Sequence, residues 1–142
     1  AVVEADAIEE GLAATLGGDE DLRRAVDRRV YGHVAPVKSA YPYLVYLPDS
    51  RGGEDLNTLG SVRGVVERFY EVKVVGQGGG FSPLREVKER IDALLHGAER
   101  QDVDPRFFCE RVEDIRDADV DGRSNIYYES GGVYRFLVTP EA

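Results

Sequence analysis

The sequence predicts an α+β fold, with a mainly antiparallel sheet of four to five strands and two or three helices packed on one face. Two segments, Val3–Leu16 and Leu84–Leu95, repeat apolar residues at spacings of three and four, which is typical of amphipathic helices. The segment 65–75 alternates apolar and charged residues, which is typical of a strand with one solvated face. Most strand-like segments follow one another directly, so the helices should be segregated to one side of the sheet.

The N-terminal part should form two helices followed by two short strands. Two glycines at 17–18 end the first helix, and Asp19 or Asp21 can cap a short second helical stretch. The residues at 29–34 look extended. The run YLVYL at 43–47, which follows a proline, predicts a strong short strand.

The segment 65–97 combines a strand, a glycine-rich loop and a helix, an arrangement that can bind phosphate. A P-loop needs Lys and then Ser or Thr directly after its last glycine, but Phe81 follows that glycine here. A dinucleotide fingerprint also needs a third glycine where Phe81 stands. The segment is therefore predicted to be scaffold, with Ser82 as the helix N-cap, Pro83 at the first helical position and Gly97 just past the helix end.

The rest of the chain predicts a loop and two further strands. The polar, glycine-containing stretch 48–64 should be a long loop, and loops of this length are usually functional or disordered. Strands are expected at 107–115 and 125–139, and the glycine pair at 131–132 predicts a bend or bulge. No repeat or linker divides the sequence, so residues 1–142 are expected to form one domain.

Composition excludes several classes of function. The chain has 27 acidic and 18 basic residues and a net charge of −9, so its general surface should not bind nucleic acid. No apolar run approaches the ~18 residues that a membrane-spanning helix needs. The only cysteine, Cys109, excludes an intrachain disulfide and is expected to lie in the core among apolar neighbours. We also expect no cofactor and no catalytic residues. Neither His33 nor His96 has a metal-type neighbour spacing, and the sequence has no Gly-x-Ser-x-Gly nucleophile elbow.

One motif has the residue types of a calcium site. Asp117, Asp119, Asp121 and Gly122 match the first half of an EF-hand loop. The acidic residue required at position 12 is replaced by Tyr128, and the flanking segments look like strands. Two interpretations remain open: a β-hairpin turn, which Asp-Gly pairs favour, and a weak or adventitious Ca²⁺ site.

The order of elements and several short motifs resemble the tail terminator (tail completion) proteins of long-tailed bacteriophages. The motifs lie along nearly the whole chain: the helix 7–16, Val30-Tyr31, the strand 42–46, the long polar loop, the strand 65–75, the helix end 91–97, the turn 119–122 and the final strand 132–138. None of them is an active-site signature.

The resemblance implies a structural protein without catalysis that forms a homo-oligomeric, hexameric ring on the tail tube. The ring would stop tube polymerisation and present a surface to the head connector, in the virion at the head–tail joint after assembly in the host cytoplasm. The genome would pass through the lumen without specific binding, because six copies at −9 would carry about −54 and repel phosphates. The alternatives are another neck or head-closure connector protein and a Ca²⁺-binding α+β module.

Candidates for subunit contacts or the lumen wall lie in the predicted loop and on the solvated side of the strand that follows it. We predict these eight residues: Arg51, Glu54, Asp55, Arg63, Glu67, Phe69, Glu71 and Lys73.

Overall fold

The computed structural model describes residues 3–51, 55–57, 63–100 and 107–138. Within these ranges the chain forms three α-helices: α1 (Val3–Gly18), α2 (Glu20–Ala25) and α3 (Arg85–Leu95). The same ranges contain seven strands: β1 (Val30–Gly32), β2 (Tyr43–Pro48), β3 (Asp55–Asn57), β4 (Arg63–Gln77), β5 (Glu99–Arg100), β6 (Phe107–Val120) and β7 (Ile126–Val138). None of the described helices is both long and apolar enough to span a membrane.

The strands form one sheet in the order β1-β2-β4-β7-β6-β5, and β3 pairs with the start of β4. β1 runs parallel to β2, whereas the remaining described pairs are antiparallel. The predicted α+β class and mainly antiparallel sheet are confirmed. Four strands have six or more residues. The strands β1, β3 and β5 have only two or three residues each and widen the sheet beyond the prediction.

The helices share a single apolar core with one face of the sheet. Alternate residues of β4 (Tyr70, Val72 and Val74) point into this core, and Ile91 of α3 and Leu12 of α1 are among the side chains opposite them. The apolar stripe predicted for α3 is buried as expected. In β7 the predicted phase is also confirmed, with these residues in or against the core: Tyr128, Tyr134, Phe136 and Val138.

The β4–β7 pair forms the uninterrupted centre of the sheet, with twelve consecutive residue pairs. A bulge at 131–132 is therefore wrong, and the irregularity lies on β6 at Val112 instead. Gly131 has a different role, because a Cβ added there would lie 2.1 Å from the carbonyl oxygen of Val72. The glycine allows the two backbones to approach each other closely.

Two of the predicted helix ends are confirmed. Asp19 caps α2 by accepting a hydrogen bond from the Leu22 N–H at 3.1 Å. Arg90 of α3 donates to the same carboxylate, with Nη2 2.6 Å from Oδ1, and this hydrogen bond lowers the pKa of Asp19. Gly97 follows α3 with a φ of +78°, a conformation that glycine adopts without strain.

Ser82 is not the helix N-cap that the sequence predicts. The chain enters α3 through a short 3₁₀ helix, Ser82–Leu84, whose start has no side-chain cap. The Leu84 N–H, which a capping Ser82 would bind, donates to the Phe81 carbonyl oxygen at 2.9 Å. The tight turn thus satisfies the backbone donor that the side chain was expected to satisfy.

The loop predicted at 48–64 is shorter than expected. β2 extends to Pro48, β4 already begins at Arg63, and β3 (Asp55–Asn57) pairs antiparallel with the start of β4. Residues 52–54 and 58–62 lie outside the described part of the chain. A strand of three residues is too short to show a periodicity, so only its pairing with β4 identifies it.

Candidate functional site: the charged face of the sheet

The side of the sheet opposite the helices carries a layer of ionised side chains, which we call the charged face. On β4 it consists of Glu67, Phe69, Glu71 and Lys73, all half-buried, as the alternating sequence predicts. On β6 and β7 it continues with Glu110, Glu113, Glu129 and Arg135, which the strand registers place on the same side. Nine of the ionised groups on this face form three clusters, each with one cation between two carboxylates. The register also places Asp117 and Asp119 of β6 on this side, opposite Glu129 and Tyr127.

The first cluster joins the three central strands. Arg135 of β7 has its Nε 2.9 Å from Glu67 of β4 and its Nη1 3.2 Å from Glu110 of β6. The Nη1 contact is a hydrogen bond, whereas the buried Nε makes no hydrogen bond within the described residues. The guanidinium therefore bridges β4 and β6 across β7.

The second cluster is centred on Lys73 of β4. Its Nζ lies 3.4 Å from Glu71 and 3.2 Å from Glu129 of β7. The lysine side chain is only 14% exposed, so its charge is held against the sheet rather than extended into solvent. A cation bound in this way is poorly placed to contact a phosphate.

The third cluster links the end of β2 to β6. Arg51 binds Asp49, with Nε 3.0 Å from Oδ2, and also forms an ion pair with Glu113. The hydrogen bond to Glu113 raises the pKa of Arg51 above its ordinary value. Its guanidinium carbon lies 5.0 Å from the centre of the Phe69 ring, a cation–π distance. These contacts fix a side chain that the sequence assigns to a loop.

The three clusters leave the charged face acidic. Six carboxylates against three cations give the clusters a net charge of −3, and each cation has acidic partners within 4.0 Å. Asp117 and Asp119 add two further carboxylates to the same face. Such partly exposed ion pairs contribute little to stability, typically about 0–1 kcal/mol each. Their main physical effect is to keep each cation bound to carboxylates, so that it does not extend into solvent. The surface therefore presents carboxylates to an approaching polyanion.

The predicted contact or lumen residues divide into three groups in the structure. Arg51, Glu67, Phe69, Glu71 and Lys73 all lie on the charged face. Glu54 lies outside the described residues. Asp55 and Arg63 are described only as backbone, in β3 and at the start of β4.

Four partners on other strands are not among the residues predicted from the sequence: Glu110, Glu113, Glu129 and Arg135. Glu113 lies 62 residues from Arg51 in the sequence, and Glu110 lies 25 residues from Arg135. Only the strand register therefore reveals these pairings. One signal was available in the sequence: Glu129 and Arg135 lie in the solvated phase of the last strand, opposite in phase to Tyr134 and Phe136.

The Asp117–Gly122 motif lies at the end of the β6–β7 hairpin. Asp117 and Asp119 are strand residues opposite Glu129 and Tyr127, and Asp121 begins the turn. The Asp121 carboxylate accepts hydrogen bonds from several groups within the turn: the Arg123 N–H (2.7 Å), the Asn125 N–H (3.0 Å) and the Tyr127 hydroxyl (2.8 Å). These bonds lower the pKa of Asp121 and raise that of Tyr127 to about 12.

This geometry favours the hairpin interpretation of the motif. In the described part of the chain no three His, Cys, Asp or Glu side chains are grouped closely enough to hold a metal ion. The Asp121 oxygens, which an EF-hand would direct at the ion, are occupied by the turn itself.

The cysteine and the two histidines are engaged in the fold. Cys109 is buried in the core, and burial raises the pKa of its thiol. His96 Nδ1 accepts a hydrogen bond from the Arg111 N–H at 3.0 Å, and His33 contacts Glu9 of α1. The structure thus places Cys109 in the core, as predicted.

The comparisons with known proteins agree with the resemblance inferred from the sequence. The model of the tail completion protein gp17 family matches residues 10–139. A chain in the virion of a native gene transfer agent particle is similar in fold, with a TM-score of 0.70 at 18% identity over 90% of this chain and 91% of that one. A second solved structure has a TM-score of 0.62 at 15% identity and covers 97% of both chains.

The search of curated proteins gives no match. The family match covers nearly the whole chain, and the two structures share its fold. The chain therefore belongs to the tail completion protein gp17 family and is a structural protein of the phage tail.

Proposed function

We propose that this protein caps the end of the tail tube as a homo-oligomeric ring of six copies. The ring would end tube polymerisation and provide the surface that binds the head connector. The match to the tail completion family over residues 10–139 carries this proposal. The hexameric state is an expectation from the resemblance of the sequence to tail terminators.

The charged face suits the wall of a channel through which DNA moves. Its cations are held by neighbouring carboxylates, and the three clusters alone, at a net charge of −3 per copy, would give about −18 for six copies. Stable phosphate contacts need available Lys and Arg side chains, and here they are paired. A duplex would therefore slide along this wall without binding to it.

The width of the sheet is compatible with such a channel. The strands β1, β2, β4, β7 and β6 lie side by side. At ~4.8 Å per strand they span about 24 Å. Six copies joined edge to edge would have a circumference of about 144 Å and a lumen about 46 Å across between backbones, or wider if the strands tilt.

This placement also defines the partners and the location. The ring would assemble in the host cytoplasm on the exposed end of the tail tube. It would then remain in the virion between the tube protein and the head connector. Neither a membrane nor a cofactor has a role in this function.

A tube-length assay tests the proposal. Purified tail tube protein would be polymerised with and without this protein, and the lengths measured by negative-stain electron microscopy. We expect the protein to bind one end of each tube and to stop its growth. Unchanged tube lengths together with binding to isolated head connectors would instead support the neck-connector alternative and contradict tube termination.

A further inference from the structure

The exposed apolar side chains of the described residues lie at the two opposite ends of the sheet. At one end, Val34 (76% exposed) and the fully exposed Val37 follow the edge strand β1. At the other end, Val112 and Val120 (59% exposed) lie on β6, and Ile126 begins the other arm of the same hairpin. Exposed valines at both edges supply apolar surface that a contact between copies could bury.

The β6 end also presents an open strand edge. Within the described residues, β5 pairs only with Phe107 and Phe108, so β6 from Glu113 to Val120 has a neighbouring strand on one side alone. The residues 113–120 are exposed except for Ile115. A long open edge of this kind can bind another chain.

The two ends carry opposite charge. Between Glu113 and Asp121, five carboxylates and one arginine give a net charge of −4. Between Arg23 and Lys38, five cations and one aspartate give a net charge of +4. The folded chain therefore has an acidic edge, residues 113–121, and a basic end, residues 23–38.

Part of this charge is not neutralised within the subunit. Among the described residues, Asp117 and Asp119 form no ion pair, and neither do Arg23, Arg28 and Lys38. The basic end adjoins the β1 edge, because Arg23 and Arg28 line one groove with Val30 of β1. The connection that holds Val37 and Lys38 is tied to β1 by a hydrogen bond from Ser39 Oγ to the hydroxyl of Tyr31, at 3.1 Å.

We propose that the acidic edge of one copy binds the basic end of the next copy. This inference rests on the proposed ring and names the surfaces that would join its subunits. Two acidic edges would repel each other, as would two basic ends, so twofold pairing through the same surface is disfavoured. A head-to-tail contact between unlike edges is the type that closes into a ring.

Charge reversal at each end tests the contact. The first variant is Asp117→Lys with Asp119→Lys, and the second is Arg28→Glu with Lys38→Glu. The control, Glu86→Lys with Glu89→Lys, makes the same +4 change as the first variant at exposed positions of α3. Thermal unfolding by circular dichroism would establish that each variant folds, and native mass measurement with and without purified tail tubes would report assembly.

We expect each edge variant alone to need a roughly tenfold or higher concentration to form rings, because like charges then meet at every interface. The control should assemble like the wild type. An equimolar mixture of the two edge variants should recover assembly, because the reversed acidic edge of one matches the reversed basic end of the other. A merely structural role for these residues would not produce this rescue.

Different results would contradict the edge contact and the ring. The edge contact would be overturned if both edge variants formed rings at the same concentration as the wild type. It would also be overturned if a folded mixture of the two variants did not recover ring assembly. Either result would leave the proposed ring itself intact. A wild-type protein that stays monomeric and never binds tubes would contradict the proposed function itself.

Discussion

Replacing Gly131 with alanine should strongly destabilise the protein. The added Cβ would lie 2.1 Å from the Val72 carbonyl oxygen and 2.6 Å from the Lys73 Cα, both backbone atoms of the neighbouring strand. Carbon and oxygen prefer a separation of roughly 3.5 Å, so β4 and β7 would have to move apart by more than about 1 Å. Their pairing continues on both sides of this point, and we expect a loss of about 3 kcal/mol or more in the free energy of unfolding.

Equilibrium unfolding in urea measures this cost. Gly122→Ala is the matched control, because a Cβ at that turn position meets nothing within 4 Å, and it should change the free energy of unfolding by less than about 0.5 kcal/mol. If Gly131→Ala were as stable as Gly122→Ala, the register that places Lys73 opposite Gly131 would be wrong. The arrangement of the charged face would then be wrong as well, since the same register aligns its clusters.

Three further predictions concern single side chains. Asp19→Ala should lower the free energy of unfolding by about 1–2 kcal/mol at pH 7, as measured by thermal unfolding. Because the folded pKa of Asp19 lies below its ordinary 3.8, that contribution is present above pH 3.8 and should shrink as the pH falls through the folded value. Millimolar Ca²⁺ should leave the melting temperature unchanged if Asp121 only organises the hairpin, whereas a shift that Asp121→Asn abolishes would support the calcium alternative. Cys109 should react with a thiol reagent at pH 8 only after denaturation, and rapid labelling of the native protein would contradict its burial.

Periodic segments of the sequence predicted the fold well. The stripe of α3 and the alternation of β4 repeat over many residues, so burial of one face is specified by the sequence itself. Alternation also predicts correctly that Glu67, Phe69, Glu71 and Lys73 share the solvated face of the sheet. The fold class follows from the same signals.

Features that depend on contacts between distant segments could not be predicted. The short strands β3 and β5 exist because a longer neighbour is within reach, and their own residues have no period. The bulge at Val112 is set by the pairing of β6 with β7 rather than by a glycine. Arg51 joins Glu113 across 62 residues of sequence, and only the folded sheet brings the two together.

The acidic edge and the basic end illustrate the same limit. In the sequence, the segment 113–121 resembles a calcium loop and the segment 23–38 resembles an ordinary charged surface. The strand order places β1 and β6 towards opposite edges of the sheet, so the two segments become complementary surfaces of one subunit. Complementary charge at opposite edges is a property of the topology and cannot be read from either segment alone.

Electron cryo-microscopy of tail tubes capped by this protein tests the central claim most directly. The account predicts a closed ring of six copies at one tube end, with the charged face towards the lumen and α1–α3 on the outside. It also predicts a lumen about 46 Å across between backbones. A ring with the helices lining the channel, or tube ends with no bound protein, would contradict the account.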